Sequence, residues 1–160
     1  MGYGLYRDGQ LVESLPQGSP NVSECIARDW ALASSPDDRT FLWLGFADPS
    51  ADELTAVAEH LHLSDLQIED ALNPTQRPVV EWHGERSGFI IVKTLHYADA
   101  TSDVFTGQLA IFFDHSHVVT VRHGQVGDLG GIRGQLDHTP QLAVLGPLAV
   151  IHAILEIGRA

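Results

Sequence analysis

The sequence predicts an α+β domain in which a mixed, largely antiparallel β-sheet lies between helices as a three-layer α/β/α sandwich. Three observations favour this architecture. Helical segments with clear start signals precede a block of strands, short polar turns link most of those strands, and an apolar helical segment follows them. The chain has 160 residues, of which 44% are hydrophobic, so it can build one core. We therefore expect residues 1–160 to form a single domain.

The amino-terminal part begins with a predicted hairpin over residues 4–13, because Asp8-Gly9 suits a tight two-residue turn between strands. Residues 17–35 are ambiguous, although apolar side chains at four-residue spacing favour a helix there. The apolar run at residues 40–46 then predicts a buried strand.

Two helices are predicted next, each from a start signal. Ser50 and Glu53 form a capping box, in which each side chain satisfies a backbone N–H group at the helix start. The apolar stripe of this helix consists of Leu54, Val57, Ala58 and Leu61. Ser64 and Gln67 repeat the capping pattern and open a short helix that should end near Asn73-Pro74.

The pattern changes to strands from residue 77 onward. Predicted strands cover residues 79–82, 89–96, 103–113 and 118–121, with polar turns at 83–87 and 114–116. The uninterrupted apolar run at residues 89–92 predicts a central strand covered on both faces. A last helix is expected after Gly146, with Pro147 in its first turn.

The charge balance limits the partners. The net charge is −12, from 21 acidic residues against 9 lysines and arginines. Nucleic acids and anionic membrane surfaces require basic patches, so neither is expected to bind directly. The acidic balance suits cations, or simply a soluble surface. Cys25 is the only cysteine, which excludes an internal disulfide and a cysteine zinc cluster and favours a reducing compartment.

No group of residues predicts an enzyme. Asp114, His115 and Ser116 are the residue types of a hydrolase triad, but consecutive residues cannot adopt the geometry that a triad requires. The nine histidines lack an HExxH motif or a Cys/His framework. We therefore interpret them as scattered surface or capping residues.

Glu69 and Asp70 are the acids of most interest. They are adjacent on the second predicted helix, so their side chains diverge by about 100° and cannot chelate one ion as a pair. Each could instead donate to a different cation site, or both could be solvated surface residues. Their position near the helix carboxyl end is unfavourable for a negative charge, and a bound cation would offset that cost.

Residues 68–81, IEDALNPTQRPVVE, resemble the motif (hydrophobic)-E-D-x-L-x-x-x-Q-R-P-K-V-E of the CorA magnesium and cobalt transporters. The similarity extends over about residues 40–156 and includes the segments 89–95, 107–112, 118–124 and 152–156 and the Gly146-Pro147 pair. The resemblance implies a pentameric, channel-like transporter of the bacterial or archaeal inner membrane. The amino-terminal domain of that family is a cytoplasmic α/β/α sandwich, followed by a stalk helix and two membrane spans with a Gly-Met-Asn signature.

This sequence contains no Gly-Met-Asn. We therefore expect residues 1–160 to be the cytoplasmic domain alone, cut before the stalk and connected to the membrane only through the missing part. The partners that the resemblance implies are the other subunits of a homopentamer, the missing stalk helix and divalent cations.

The resemblance also implies which residues bind metal. Asp70 and Glu69 align with acids that bind divalent metal at subunit interfaces, and Glu156 aligns with a helical acid that helps form a second site. Thr75 stands where the family often has a histidine. The stalk acids are missing, so these residues form half a site, and binding of Mg²⁺ or Co²⁺ should be weak and regulatory.

The expected function is thus the sensing of divalent cations for a magnesium or cobalt transporter. Two alternatives stay open. One is the equivalent domain of a zinc-transporting relative, although residues 73–78 match the magnesium branch better. The other is a stand-alone acidic binding module without a channel.

Overall fold

The computed structural model describes residues 2–15, 24–28, 39–85, 87–124, 126, 134, 136, 138, 139, 141 and 145–157. Within this part the strands are β1 (Gly2–Arg7), β2 (Gln10–Leu15), β3 (Thr40–Ala47), β4 (Val79–Trp82), β5 (Gly88–Ala98), β6 (Asp103–Phe113) and β7 (His117–Gly124). The helices are α1 (Ala51–Leu61), α2 (Asp65–Leu72) and α3 (Pro147–Ile157), and residues 24–28 are also helical. Most of the predicted helix at residues 17–35 lies outside the described residues.

The strands form one mixed sheet in the order β2-β1-β3-β7-β6-β5-β4. Strands β3 and β7 pair in parallel, and the other neighbouring pairs are antiparallel. The prediction of a mixed, largely antiparallel sheet is therefore confirmed.

Helices cover both faces of this sheet. On one face, α1, α2 and Ile26 pack over a core that includes Leu44, Phe89 and Val119. We call it the α1/α2 face. On the other face, α3 and Leu136 pack over a second core. The three-layer α/β/α arrangement is confirmed.

The apolar run at residues 89–92, predicted to form a central strand covered on both faces, lies in β5. Phe89 and Ile91 belong to the core on the α1/α2 face, whereas Ile90 belongs to the core under α3. Val92 is partly buried against that second core. Strand β5 is thus covered on both faces, which explains why residues 89–92 are continuously apolar. The prediction of a central position was wrong, because only the short strand β4 lies between β5 and the edge of the sheet.

Two turns that were predicted from local signals form as expected. Asp8 and Gly9 adopt φ of 51° and 80° between β1 and β2, as a two-residue hairpin turn requires. Between β6 and β7, Asp114 Oδ1 accepts hydrogen bonds from the N–H groups of Ser116 (2.6 Å) and His117 (2.9 Å). Burial raises the pKa of Asp114, but the hydrogen bond and charge of His117, with the Ser116 bonds, outweigh burial and lower it to about 2.

One helix start agrees with its prediction and the other does not. The Ser50 N–H donates to Glu53 Oε2 (2.9 Å), and the Glu53 N–H donates to Ser50 Oγ (3.2 Å), so the first capping box is confirmed. The prediction of a second capping box was wrong, because the Ser64 side chain makes no capping hydrogen bond. Gln67 is buried and donates to Glu81 Oε2 on β4 (3.0 Å), so a contact with the sheet has replaced the local cap.

Among the described residues, no helix combines the length and the apolarity that a membrane crossing requires.

Candidate functional site

The motif at residues 68–81 runs from the last turns of α2, through a turn, into the edge strand β4. Ile68 and Ala71 are buried and hold α2 against the sheet. This packing leaves Glu69 exposed and Asp70 partly exposed. Neither carboxylate forms a hydrogen bond or ion pair with the residues that the structure describes. Both are therefore available to a ligand or a partner.

The turn after α2 is built around Asn73. Its N–H donates to the Asp70 carbonyl oxygen (3.2 Å), which closes the last turn of the helix. Its side-chain oxygen accepts from the N–H of Thr75 (3.1 Å) and from the Thr75 hydroxyl (2.8 Å), an arrangement typical of Asx turns. The Thr75 hydroxyl therefore has a structural partner within the turn.

Three polar side chains on neighbouring strands bind the carboxyl end of α2. Lys93 on β5, Gln108 on β6 and His123 on β7 lie side by side in the strand register, and we call them the polar row. Lys93 Nζ donates to the Pro74 carbonyl oxygen (3.0 Å). Gln108 Nε2 donates to the Asn73 carbonyl oxygen (2.8 Å). His123 Nε2 donates to the Ala71 carbonyl oxygen (2.8 Å).

The polar row satisfies carbonyl groups that a helix end and the turn after it leave without an intrahelical partner. The positive charge of Lys93 is also favourable beside the negative end of the helix dipole. Gln108 is only 1% exposed, and its side-chain oxygen accepts a further hydrogen bond from Lys93 Nζ. The sheet thus holds the end of α2, and with it Asp70, in a fixed position.

The sequence patterns predict no role for the residues of the polar row. A signal was present, since Gln108 is a polar residue facing a core within the buried and otherwise apolar part of β6, residues 107–113. Its function became visible only through its contact with Asn73, which lies 35 residues away in the chain.

The histidines differ in part from their prediction. His123 caps α2, in agreement with the prediction of surface or capping histidines. Its Nδ1 lies 3.3 Å from Asp48 Oδ1. His117 is 4% exposed, so the surface interpretation was wrong for this residue. The reason is that its Nδ1 lies 2.9 Å from Asp114 Oδ1, a partner that makes burial of the imidazole tolerable.

Glu156 lies apart from the other two predicted ligands. It is an exposed residue of α3, on the opposite face of the sheet from α2, and its Oε1 lies 3.9 Å from His152 Nε2. Among the described residues, no three His, Cys, Asp or Glu side chains come together in a way that could hold a metal ion. Asp70, Glu69 and Glu156 stay predicted ligands, and each would need further ligands from another chain or segment.

The fold and the acidic motif at the end of α2 can now be compared with known proteins. A family model described as "CorA-like Mg2+ transporter protein" matches residues 38–157. Because this match covers most of the chain, the protein belongs to the CorA-like Mg²⁺ transporter family, a family of transporters rather than enzymes. The resemblance of residues 68–81 is thereby confirmed at the level of the family.

Solved structures share the fold. The full-length CmaX protein matches with a TM-score of 0.64 and 13% identity, over 99% of this chain and 44% of its own. The soluble domain of CorA from Methanocaldococcus jannaschii matches with a TM-score of 0.59 and 22% identity, and the match covers 95% of this chain and 54% of that domain. The complete CorA magnesium transporter of that organism matches with a TM-score of 0.56 and 19% identity, and the match covers 98% of this chain and 45% of the transporter.

The chain therefore spans about half the length of each of these structures. A comparison with curated proteins finds no match.

Proposed function

We propose that this chain is the regulatory, divalent-cation-sensing domain of a CorA-type magnesium or cobalt transporter, positioned on the cytoplasmic side of the inner membrane. The full-length protein would conduct the ion as a homopentamer. The observation that carries the proposal is the presentation of Asp70 and Glu69, within the family motif, as carboxylates without a partner among the described residues.

The chemistry of Mg²⁺ suits half a site of this kind. The ion keeps several of its waters and needs only one or two protein carboxylates, so its sites are weak and empty readily. Asp70 supplies one carboxylate from each subunit. The remaining ligands would come from the stalk of a neighbouring subunit, as the family resemblance implies.

Binding can control conduction through repulsion between carboxylates. Acids that face one another between subunits repel when the metal leaves, and the bound metal neutralises that repulsion. A cation that binds the symmetric, closed pentamer better than the open one shifts the population towards the closed state. High internal Mg²⁺ would therefore close the pathway.

The polar row supports this coupling. Its hydrogen bonds to the carbonyl groups of Ala71, Asn73 and Pro74 attach the motif to the sheet at three points. Because the end of α2 is fixed in this way, a force on Asp70 would move the domain as a body rather than unwind one helix turn. That rigidity is what a sensor needs to transmit binding at one residue to a pore elsewhere.

The test begins with the gene. Continuation beyond residue 160 into two apolar spans with Gly-Met-Asn supports a transporter, whereas a stop codon would favour a stand-alone binding module. The full-length protein should then be placed in liposomes, and uptake of Mg²⁺, Co²⁺ and Zn²⁺ measured at increasing internal Mg²⁺. We expect Mg²⁺ or Co²⁺ uptake that declines as internal Mg²⁺ rises. Uptake of Zn²⁺ alone, or uptake insensitive to internal Mg²⁺, would contradict the proposal.

A further inference from the structure

An open groove of about 520 Å³ runs between α1 and α2. α2 contributes residues at the spacing i, i+3, i+4, i+7 and α1 contributes residues at i, i+3, i+4, which places each set on one helix face. The lining from α1 is Thr55, Ala58 and Glu59, the lining from α2 is Asp65, Ile68, Glu69 and Leu72, and His62 and Leu63 lie in the connection. The groove is thus bordered by one stripe of side chains from each helix.

The floor of the groove is apolar. Ala58 and Ile68 are buried there, and Leu63 and Leu72 are partly buried. The groove volume falls within the range of about 300–1,000 Å³ that is typical of small-molecule pockets. It can accept several aliphatic side chains from one face of a helix.

The rim of the groove is acidic. Glu59, Asp65 and Glu69 are all exposed, and the described lining contains neither lysine nor arginine. A partner that filled only the floor would leave these carboxylates without countercharges. Lysine and arginine are suited to this geometry, because their aliphatic stems cover apolar surface while their charged ends reach a polar rim.

We propose that the groove between α1 and α2 binds an amphipathic helix with an aliphatic stripe flanked by lysine or arginine. This is the helix-in-groove mode of recognition, in which residues at i, i+3, i+4 and i+7 of the partner enter the apolar floor. A metal ion is a poorer occupant, because it would leave the floor in water and the described residues contain no cluster of three metal ligands. The inference does not depend on whether cations bind at Asp70.

The probe is a synthetic helical peptide with leucines along one face and lysines beside them, labelled with a fluorophore. Its binding to the 160-residue chain is measured by fluorescence anisotropy at physiological salt. A peptide of the same composition, scrambled so that leucines and lysines no longer segregate, is the control for attraction to the net charge of −12. We expect saturable binding of the amphipathic peptide and much weaker binding of the scrambled one.

Two variants locate the site. The double variant Glu59→Gln/Glu69→Gln removes two rim charges and should weaken binding about tenfold. The double variant Glu24→Gln/Glu85→Gln removes the same charge from exposed positions outside the groove lining and should leave affinity unchanged.

A third variant, Thr55→Lys, places a cation on the exposed groove edge, four residues before Glu59, and should also weaken binding. Equal binding of both peptides, or equal loss in both double variants, would show general charge attraction and overturn the proposal. Absence of binding to the unmodified chain would overturn it as well.

Discussion

Replacement of Gln108 by leucine is the strongest structural test of the polar row. The two side chains have similar size, but leucine can neither donate to the Asn73 carbonyl nor accept from Lys93. Gln108 is 1% exposed, so water cannot easily replace the lost donor. The Asn73 carbonyl would lose its 2.8 Å hydrogen bond from the sheet and keep the longer one from the Gln76 N–H (3.3 Å).

The size of the effect follows from these contacts. The substitution removes two hydrogen bonds, and a hydrogen bond within a protein contributes about 0.5–1.5 kcal/mol to stability. The lost hydrogen bond between Lys93 and Gln108 costs less, because Lys93 is exposed and keeps the Pro74 carbonyl as acceptor. We therefore expect the free energy of unfolding to decrease by about 2 kcal/mol. For a domain of this size the melting temperature should fall by about 4–8 °C.

Urea unfolding followed by circular dichroism measures the global effect, and hydrogen exchange measures the local one. The amides of Thr75 and Gln76, which donate within the turn, should exchange faster in the variant. Gln10→Leu is the matched control, because Gln10 is exposed on the edge strand β2 and its loss should change stability by less than about 0.5 kcal/mol. Equal destabilisation by the two substitutions, with unchanged exchange at the turn, would refute the role of the polar row.

Three further predictions concern metal, assembly and pH. Chelation of divalent ions should leave the circular dichroism and cooperative melting of the 160-residue chain unchanged, because both cores are apolar, and loss of the transition would contradict a purely regulatory metal. Sedimentation should give a monomer or a non-native oligomer with weak Mg²⁺ binding, and a stable metal-dependent pentamer would place the whole interface within this chain. The folded-state pKa of Asp114 lies at about 2, below its ordinary 3.8, so its contribution is present above about pH 4 and disappears as the pH falls towards 2. Asp114→Asn should remove about 2 kcal/mol of acid-dependent stability in urea unfolding measured across this range, and an unchanged pH profile would disprove the role of the His117 and Ser116 contacts.

The sequence predicted those features of the fold that depend on neighbouring residues. Asp8-Gly9 forms its turn because the required backbone angles are a property of two residues, and the Ser50 cap forms because its partner is three residues away. The same reasoning failed at Ser64. There the side chain expected to complete the cap, that of Gln67, instead binds Glu81 on a strand 14 residues further along.

The candidate site shows the same limit. Glu69 and Asp70 were identified from a continuous motif that resembles a known family. The polar row could not be identified in that way, because its contacts join residues 19, 35 and 52 positions apart. The parallel pairing of β3 with β7 is likewise a long-range feature that no local pattern specifies.

The most direct test of the sensing role is Asp70→Asn in the full-length parent. Asparagine is nearly isosteric with aspartate but is a poorer ligand for Mg²⁺, so metal should stabilise the closed pentamer less. The substitution also removes part of the repulsion in the empty site, but that repulsion is already neutralised in the wild type at high Mg²⁺. The loss of affinity should therefore dominate there.

Uptake of Mg²⁺ into liposomes should be measured for the wild type, for Asp70→Asn and for the control Asp99→Asn, an exposed turn residue outside the motif. We predict that Asp70→Asn continues to transport at internal Mg²⁺ concentrations that close both the wild type and Asp99→Asn. If all three proteins close at the same internal Mg²⁺, Asp70 is a solvated helix-end acid and the proposed sensing role is wrong.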